Sequence, residues 1–389
     1  MVDEVSAPRS ADAGSPGQRW PAGSQSDPTT ADARWMRRAL QHARRGVGRT
    51  TPNPAVGACV VSSDGVVVGQ GAHERAGEPH AEIHALDEAG EAARGATLYC
   101  TLEPCAHTGR TGPCTERIIA AGITRVVAAM EDPFPQVSGR GFAALRQRGI
   151  EVAIGVEREA AVRLNQPYLT AVREGRPFVV LKAASSIDGR IAAAPGERTK
   201  VTSAAAGRRA QYDRARIDAI GVGSGTMLAD DPLLTAREIY RERPLARVVF
   251  DRRLRTPPGA RVFSTASDGP VIIVTTAASL REEPARAAAL ERAGATLVAP
   301  TEAGIAAALR ELPGRGIQSL LLEGGSALHG AAWEAGVVDY VQLYVAPIAL
   351  GPGGVPLAHR AFSTDGLFDR TVEALGPDVI IEGYVHRPH

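Results

Sequence analysis

The chain has 389 residues, more than one hydrophobic core ordinarily spans, so two domains are expected. Hydrophobic residues make up 44% and charged residues 22%, as in ordinary globular proteins, and a formal net charge of +1 excludes a dominant electrostatic grip on nucleic acid or anionic membrane. No apolar run reaches the roughly 18 residues a transmembrane helix needs, so no membrane partner is expected.

Residues 1–30 are rich in Ala, Ser, Pro, Gly and Asp and lack an apolar stretch. They read as a disordered tail and not as a signal peptide. Residues 31–174 form the first expected domain. The spacing of Trp35, Met36, Ala39, Leu40 and Ala43 predicts a helix from Thr30 or Asp32 through Arg45, capped by Asp32. Thr51-Pro52-Asn53-Pro54 reads as extended loop, because each Pro pushes its predecessor out of the α region. A hairpin follows, with strands at 55–61 and 66–71 around the Ser62-Ser63-Asp64-Gly65 turn. His80 opens a helix that Gly90 closes. Strand 96–101, a polar loop, helix 114–120, strand 125–130, helix 141–147 and strand 150–154 come next, and a single helix over 157–174 ends the domain. Gly175-Arg176-Pro177 reads as the link.

The second expected domain, 175–389, restarts with a strand at 178–182 and alternates again. Strands are predicted at 219–222, 247–251, 271–275, 319–323 and 341–346, and helices at 204–216, 280–293 and 326–334. Alternation of this kind means α/β, with helices packed on a sheet.

The chemistry is concentrated between residues 80 and 114. His80-Ala81-Glu82 is followed by Pro104-Cys105 and then Cys114. One imidazole and two thiolates make three ligands, one fewer than closes a structural zinc site, so a catalytic Zn2+ with a position left for water is expected. Glu82 sits too near His80 to join the same tetrahedron and suits a general acid/base; His-x-Glu with Pro-Cys and a second Cys is the zinc-deaminase pattern. Eight residues separate the two cysteines where two are usual, which lengthens a loop without changing the ligand types. Cys59 and Cys100 lie in apolar, strand-like runs and read as small buried hydrophobes. Free thiols without a disulfide framework fit a reducing, cytoplasmic location.

Elsewhere the signals are weaker. Of 44 basic residues only Lys182 and Lys200 are lysine, which marks places where a compact ammonium matters. Glu323-Gly324-Gly325-Ser326 joins an apolar strand to a helix and is balanced between a phosphate cradle and a plain turn. Gly351-Pro352-Gly353-Gly354 is a further candidate, and Asp230-Asp231-Pro232 is either an acid/base or metal pair or a helix cap or turn. Gly221-Val222-Gly223-Ser224-Gly225-Thr226 has the wrong spacing for a dinucleotide fingerprint.

Several longer motifs carry a resemblance. In the first half they are Thr51-Pro52-Asn53-Pro54-x-Val56-Gly57, the run from Gly71 and His73 through Pro79-His80-Ala81-Glu82, and Thr101-Leu102-Glu103-Pro104-Cys105-x-His107-x-Gly109-Arg110-Thr111. In the second they are Lys182-x-Ala184-x-Ser186-x-Asp188-Gly189-Arg190, Thr226-x-Leu228-Ala229-Asp230-Asp231-Pro232-x-Leu234-Thr235-x-Arg237, and Glu323-Gly324-Gly325. From residue 32 to 388 the chain resembles the bifunctional pyrimidine deaminase/reductases of riboflavin biosynthesis, whose cysteine gap is this long.

The resemblance implies a cytidine-deaminase-like α/β/α sandwich followed by a dihydrofolate-reductase-like α/β domain. The first would hydrolyse an amine from 2,5-diamino-6-ribosylamino-4(3H)-pyrimidinone 5′-phosphate, and the second would reduce the ribosyl group to ribityl with NADPH. It implies that Asn53, His73, His107, Arg110 and Lys182 hold the deaminase substrate, Lys182 reaching across from the second domain. Ala184, Lys200, Thr226, Asp230 and Gly325 would bind the cofactor, and Arg198, Arg214, Leu234, Arg237 and Glu323 the reductase substrate. Two positions depart from the family: Lys200 stands where Trp is common, and Arg252 where Ser is common. The proton donor of the reduction stays open between Asp230 and an ordered water. Family relatives imply a homo-oligomer, although no interface is legible in the sequence. The zinc pattern alone also permits a nucleic-acid base deaminase with an appended binding domain, against which stand the near-neutral charge and the 4% aromatic content. A zinc ion serving only as a structural staple would require a fourth protein ligand.

Overall fold

The computed structural model describes residues 30–106, 112–357 and 363–388. His107, Arg110 and nearly all of the expected N-terminal tail lie outside the described residues.

Among the described residues the first half builds one sheet from β1 (Gly57–Val61), β2 (Val67–Ala72), β3 (Thr97–Cys100), β4 (Arg125–Ala128) and β5 (Glu151–Ile154), in the order β2-β1-β3-β4-β5. β1 runs antiparallel to both β2 and β3, and β3, β4 and β5 are mutually parallel. The helices are α1 (Thr30–Ala43), α2 (Ala81–Ala89), α3 (Cys114–Ala120), α4 (Arg140–Gln147), α5 (Arg158–Leu164) and α6 (Gln166–Glu174). Two glycines of β2 let α2 lie unusually close. A Cβ on Gly69 would sit 2.1 Å from Ala85 O, and one on Gly71 would sit 2.4 Å from Ala81 O. Small residues here set the depth at which His80 and Glu82 enter the fold.

The second half contributes β6 (Phe178–Ser186), β7 (Arg190–Ala192), α7 (Ala204–Arg216), β8 (Ala219–Gly223), α8 (Ser224–Asp230), β9 (Ala246–Phe250), β10 (Val271–Val274), α9 (Ala277–Glu282) and α10 (Pro284–Arg292). β11 (Ala295–Val298), α11 (Ile305–Arg310), β12 (Ser319–Leu322), α12 (Ser326–Glu334), β13 (Tyr340–Ala346), β14 (Val355–Pro356), β15 (Phe368–Leu375) and β16 (Asp378–Tyr384) complete it. The main sheet runs β11-β10-β9-β8-β12-β6-β13-β16-β15, and β14 pairs with β7. It is parallel from β11 to β13, with β16 and β15 antiparallel at the edge. Burial on both faces explains continuous apolar strands such as Val271-Ile272-Ile273-Val274, every residue of which is buried.

Several expectations need correction. Asp32 is not a cap: it lies inside α1, accepts from Tyr99 Oη at 2.8 Å and pairs with Arg125 at 2.7 Å. The helix expected over 157–174 is two, α5 and α6, broken at Asn165. That side chain accepts from Ala55 N at 2.8 Å and donates to Ala55 O at 3.0 Å, completing backbone pairing that no strand supplies. The helix expected over 280–293 is likewise two, because Pro284 starts α10 and cannot continue α9. The 175–177 link is anchored, with Arg176 in a bidentate pair to Asp339 at 2.7 Å for each bond. Strands β7, β11, β14, β15 and β16 and helices α8 and α11 have no counterpart in the sequence reading.

Candidate active sites

His80 occupies the N-cap position of α2, Cys114 begins α3, and Cys105 lies in the loop leaving β3. His80 Nδ1 is 3.2 Å from Cys114 Sγ and 3.6 Å from Cys105 Sγ, and the three ligand atoms all lie within 4.8 Å of one another. A tetrahedral zinc with ordinary Zn–N and Zn–S bonds needs N···S separations of about 3.6 Å. The donor set and its spacing therefore fit zinc, and among the described residues no fourth side chain joins the group. Cys114 N donates to Cys105 Sγ at 3.4 Å. Hydrogen bonding from Cys114, ahead of that from His80, holds the Cys105 thiol far below its usual range. Glu82 is 3% exposed, and burial pushes its carboxyl up although the nearby His80 pulls it down. A carboxyl placed so carries a proton more readily than an exposed one. Cys59 and Cys100 are fully buried and free, with thiols raised by burial, Cys59 to about 12.

His80, Glu82 and Cys105 open into a cavity of about 570 Å³ walled by Asn53, His73, Asp132, Phe134, Tyr168 and others. Asn53 Nδ2 donates to His73 Nε2 at 3.0 Å, and His73 Nδ1 lies 3.1 Å from Pro79 O. The His73 ring stands edge-on to His80, with centroids 5.3 Å apart. Glu103, 3% exposed, accepts from Gly141 N at 2.9 Å, Gly139 N at 3.0 Å, Asp132 N at 3.3 Å and Phe142 N at 3.4 Å. Burial pushes its carboxyl up to about 7 against those donors. It ties the start of α4 to the backbone just ahead of Cys105. Lys182 does not reach this cavity: it stands on β6, with Nζ 5.4 Å from the Tyr344 ring centroid, and lines the other one. The second-half residue found in the first wall is Gln318, which nothing in its local sequence marks.

The other cavity, of about 1160 Å³, lies at the carboxyl ends of β6, β8 and β12. Lys182, Ala184, Arg198, Lys200, Thr226, Asp230, Glu323 and Gly325 line it together with His329. α8 and α12 begin at the ends of adjacent parallel strands, β8 and β12, which directs free backbone N–H groups of both helices toward one region. A Cβ on Gly324 would sit 2.7 Å from Leu328 Cδ2, so glycine keeps that approach open. Arg214, Leu234 and Arg237 are not part of the lining. Arg214 grips Glu323 from behind, at 2.8 Å and 2.5 Å, and donates to Thr235 O at 3.0 Å. Leu234 packs its side chain into the core, with φ at +52°, and Arg237 is exposed. Asp231 caps the C-terminus of α8 in the left-handed region, and its side chain accepts from the distant Arg261 N at 2.8 Å. Arg252 is exposed and outside the lining, whereas Lys200 stands at the rim.

The profile of the cytidine and deoxycytidylate deaminase zinc-binding region matches residues 29–130, and that of the RibD C-terminal domain matches residues 177–381. The riboflavin biosynthesis protein RibD of Escherichia coli is 40% identical over 370 residues, covering 90% of this chain and 98% of that protein. The chain belongs to the RibD family. RibD of Acinetobacter baumannii superposes with a TM-score of 0.81 at 37% identity, over 91% of this chain and 98% of that one. A Thermotoga maritima protein described as a diaminohydroxyphosphoribosylaminopyrimidine deaminase/5-amino-6-(5-phosphoribosylamino)uracil reductase superposes at 0.78, with 34% identity over 92% of this chain and 99% of that one. The RibD fold therefore accounts for the two large sheets, and the zinc-binding region contains His80, Glu82, Cys105 and Cys114.

Proposed function

We propose that this RibD-family chain is a bifunctional enzyme of riboflavin biosynthesis. Residues 31–174 would remove an amine by hydrolysis from the diaminopyrimidine ribosyl phosphate, and residues 175–389 would reduce the ribosyl group to ribityl with NADPH. The observation that carries the reading is the convergence of His80, Cys105 and Cys114 on one point beside the buried Glu82, at the floor of a cavity.

His80, Cys105 and Cys114 would hold zinc, which would supply a water acidified enough to serve as nucleophile at neutral pH. Glu82 would carry one proton of that water to the ring nitrogen and then the second, released as the new hydroxyl becomes a carbonyl, to the departing amine, which leaves as ammonia. Asn53 and His73 present polar atoms in the wall of the same cavity, and they, with His107 and Arg110, are assigned to the pyrimidine and its phosphate. In the second cavity the paired starts of α8 and α12 suit the phosphates of a dinucleotide, with Ala184, Lys200, Thr226, Asp230 and Gly325 around them. NADPH, when bound there, supplies hydride. Lys182, Arg198 and Glu323 remain for the sugar phosphate, with Arg214 fixing Glu323. Burial pushes the Asp230 carboxyl up, the direction a proton donor needs, although Arg198 opposes it.

No helix among the described residues is long and apolar enough to cross a membrane. Four free cysteines support a reducing cytoplasm, and a homo-oligomer completes the reading. The test supplies the diaminopyrimidine nucleotide with and without NADPH and follows ammonia and NADPH together. Ammonia released without NADPH, then NADPH consumed by the deaminated product, is the expected result. NADPH consumption without prior ammonia release would overturn the order.

A further inference from the structure

We propose that the second half of the chain completes the deaminase pocket, with Gln318 and Glu242 as its positioning residues; this rests on the functional reading of that pocket above. Gln318, immediately ahead of β12, lines the first cavity, and its Nε2 donates to Pro52 O at 2.9 Å, one residue before Asn53. Its backbone is fixed in turn. Asp218 accepts from Gln318 N at 3.1 Å, from Ser319 N at 3.0 Å and from Ser319 Oγ at 2.8 Å, and pairs with Arg243. Among the described residues no donor reaches Gln318 Oε1, which leaves an acceptor at the cavity wall for an N–H or O–H of the pyrimidine nucleotide.

Glu242 acts on the same loops from the other side. Its carboxylate, 14% exposed, accepts from Arg49 Nε at 2.5 Å and also pairs with Arg75. Arg49 lies four residues before Asn53 and Arg75 two after His73, so one carboxylate ties down both segments that carry the Asn53–His73 pair. Shared between two guanidinium groups and largely shielded, it differs from an ordinary surface ion pair. Gly48 adds a third contact. Its φ is +78°, and a Cβ there would lie 3.0 Å from Arg216 Cα, so this loop rests directly on the end of α7. A wall held this way is organised before substrate arrives, and loosening it weakens binding more than the chemical step.

The experiment compares the full-length wild type with Gln318→Ala, Gln318→Met and Glu242→Gln, and with Glu242→Asp as the conservative change. Deamination and reduction are measured separately, the latter with deaminated nucleotide supplied. Bound zinc and calorimetric binding of the deaminated nucleotide are followed in parallel. KM for deamination should rise about tenfold in the first three variants, with kcat within about twofold, as expected for one lost hydrogen bond or ion pair. Zinc content and reduction should stay at wild-type values, and Glu242→Asp should recover part of the loss. Gln318→Met keeps the side-chain length and so separates lost hydrogen bonding from lost packing. If the wild type deaminates and the variants keep its KM, or if both activities fall together, the proposal is overturned. A wild type that releases no ammonia would instead overturn the functional reading, and this proposal with it.

Discussion

Asn53 Nδ2 donates to His73 Nε2 at 3.0 Å, which leaves Nδ1 to carry the ring proton and donate it to Pro79 O at 3.1 Å. The pair thereby fixes a neutral imidazole in one tautomer beside His80, in keeping with burial, which lowers the His73 pKa. Asn53→Ala removes the donor and leaves Nε2 unpaired, a loss of about 1–3 kcal/mol. The expected outcome is a KM for deamination raised by about one to two orders of magnitude, with reduction unchanged, measured by steady-state ammonia release.

Cys105→Ser replaces one of two sulfur ligands with a hard oxygen that zinc holds poorly. Metal analysis should show loss of bound zinc, and deamination should disappear with it, while NADPH-dependent reduction persists because its cavity lies in the other sheet's territory. Treatment of the wild type with a chelator should reproduce this split. Deamination surviving zinc removal would contradict the assignment.

Arg214 and Glu323 form a bidentate pair whose side chains are 16% and 9% exposed. Removing one partner strands a charge away from water, at a cost of about 3–5 kcal/mol. Arg214→Met should show that loss in denaturant titration, together with impaired reduction. The double change Arg214→Met with Glu323→Leu should recover much of the stability but not the reduction.

Acid sensitivity should trace to the same cavity. Burial pushes the His329 imidazole from 6.5 down to about 4, and neither ring nitrogen makes a hydrogen bond of ordinary geometry. Burial raises the Glu323 carboxyl, but Arg214 and Lys182 more than offset it and hold the group down from 4.5 to about 2. Both groups bind protons more readily in the unfolded chain. The stability owed to His329 is therefore complete above pH 6.5 and lost as the pH falls to about 4, and that owed to Glu323 is lost between 4.5 and about 2. His329→Leu should flatten stability between pH 6.5 and 4 in denaturant melts and should stabilise the fold slightly. An unchanged slope would remove His329 as the responsible group.

The zinc constellation was legible because all four residues and their spacing fall within one short stretch, and ligand chemistry constrains residue type there. Helices α7 and α12 were legible to the residue: Ser203 caps α7 through its side chain, and glycines precede α12. What escaped depends on distant partners. Asn165 breaks a helix by pairing with Ala55, and Asp32 faces Tyr99 and Arg125. β15 is exposed along nearly its whole length, so it has no alternating apolar pattern to reveal it. A motif names Lys182 without saying which way its strand presents it, and the side chain lines the second cavity and not the first. Pro284 was a local signal, and it should have divided the helix.

The position of β6 has a consequence for biosynthesis of the polypeptide itself. Phe178 must wait for Ser319 as its neighbour on one side, and Val180 for Tyr340 on the other. During translation every strand of the first sheet emerges before β6, while an apolar ribbon trails behind it with both edges bare. Messages truncated ahead of Tyr340 would release that ribbon with one flank permanently uncovered, a template for clumping with other nascent chains.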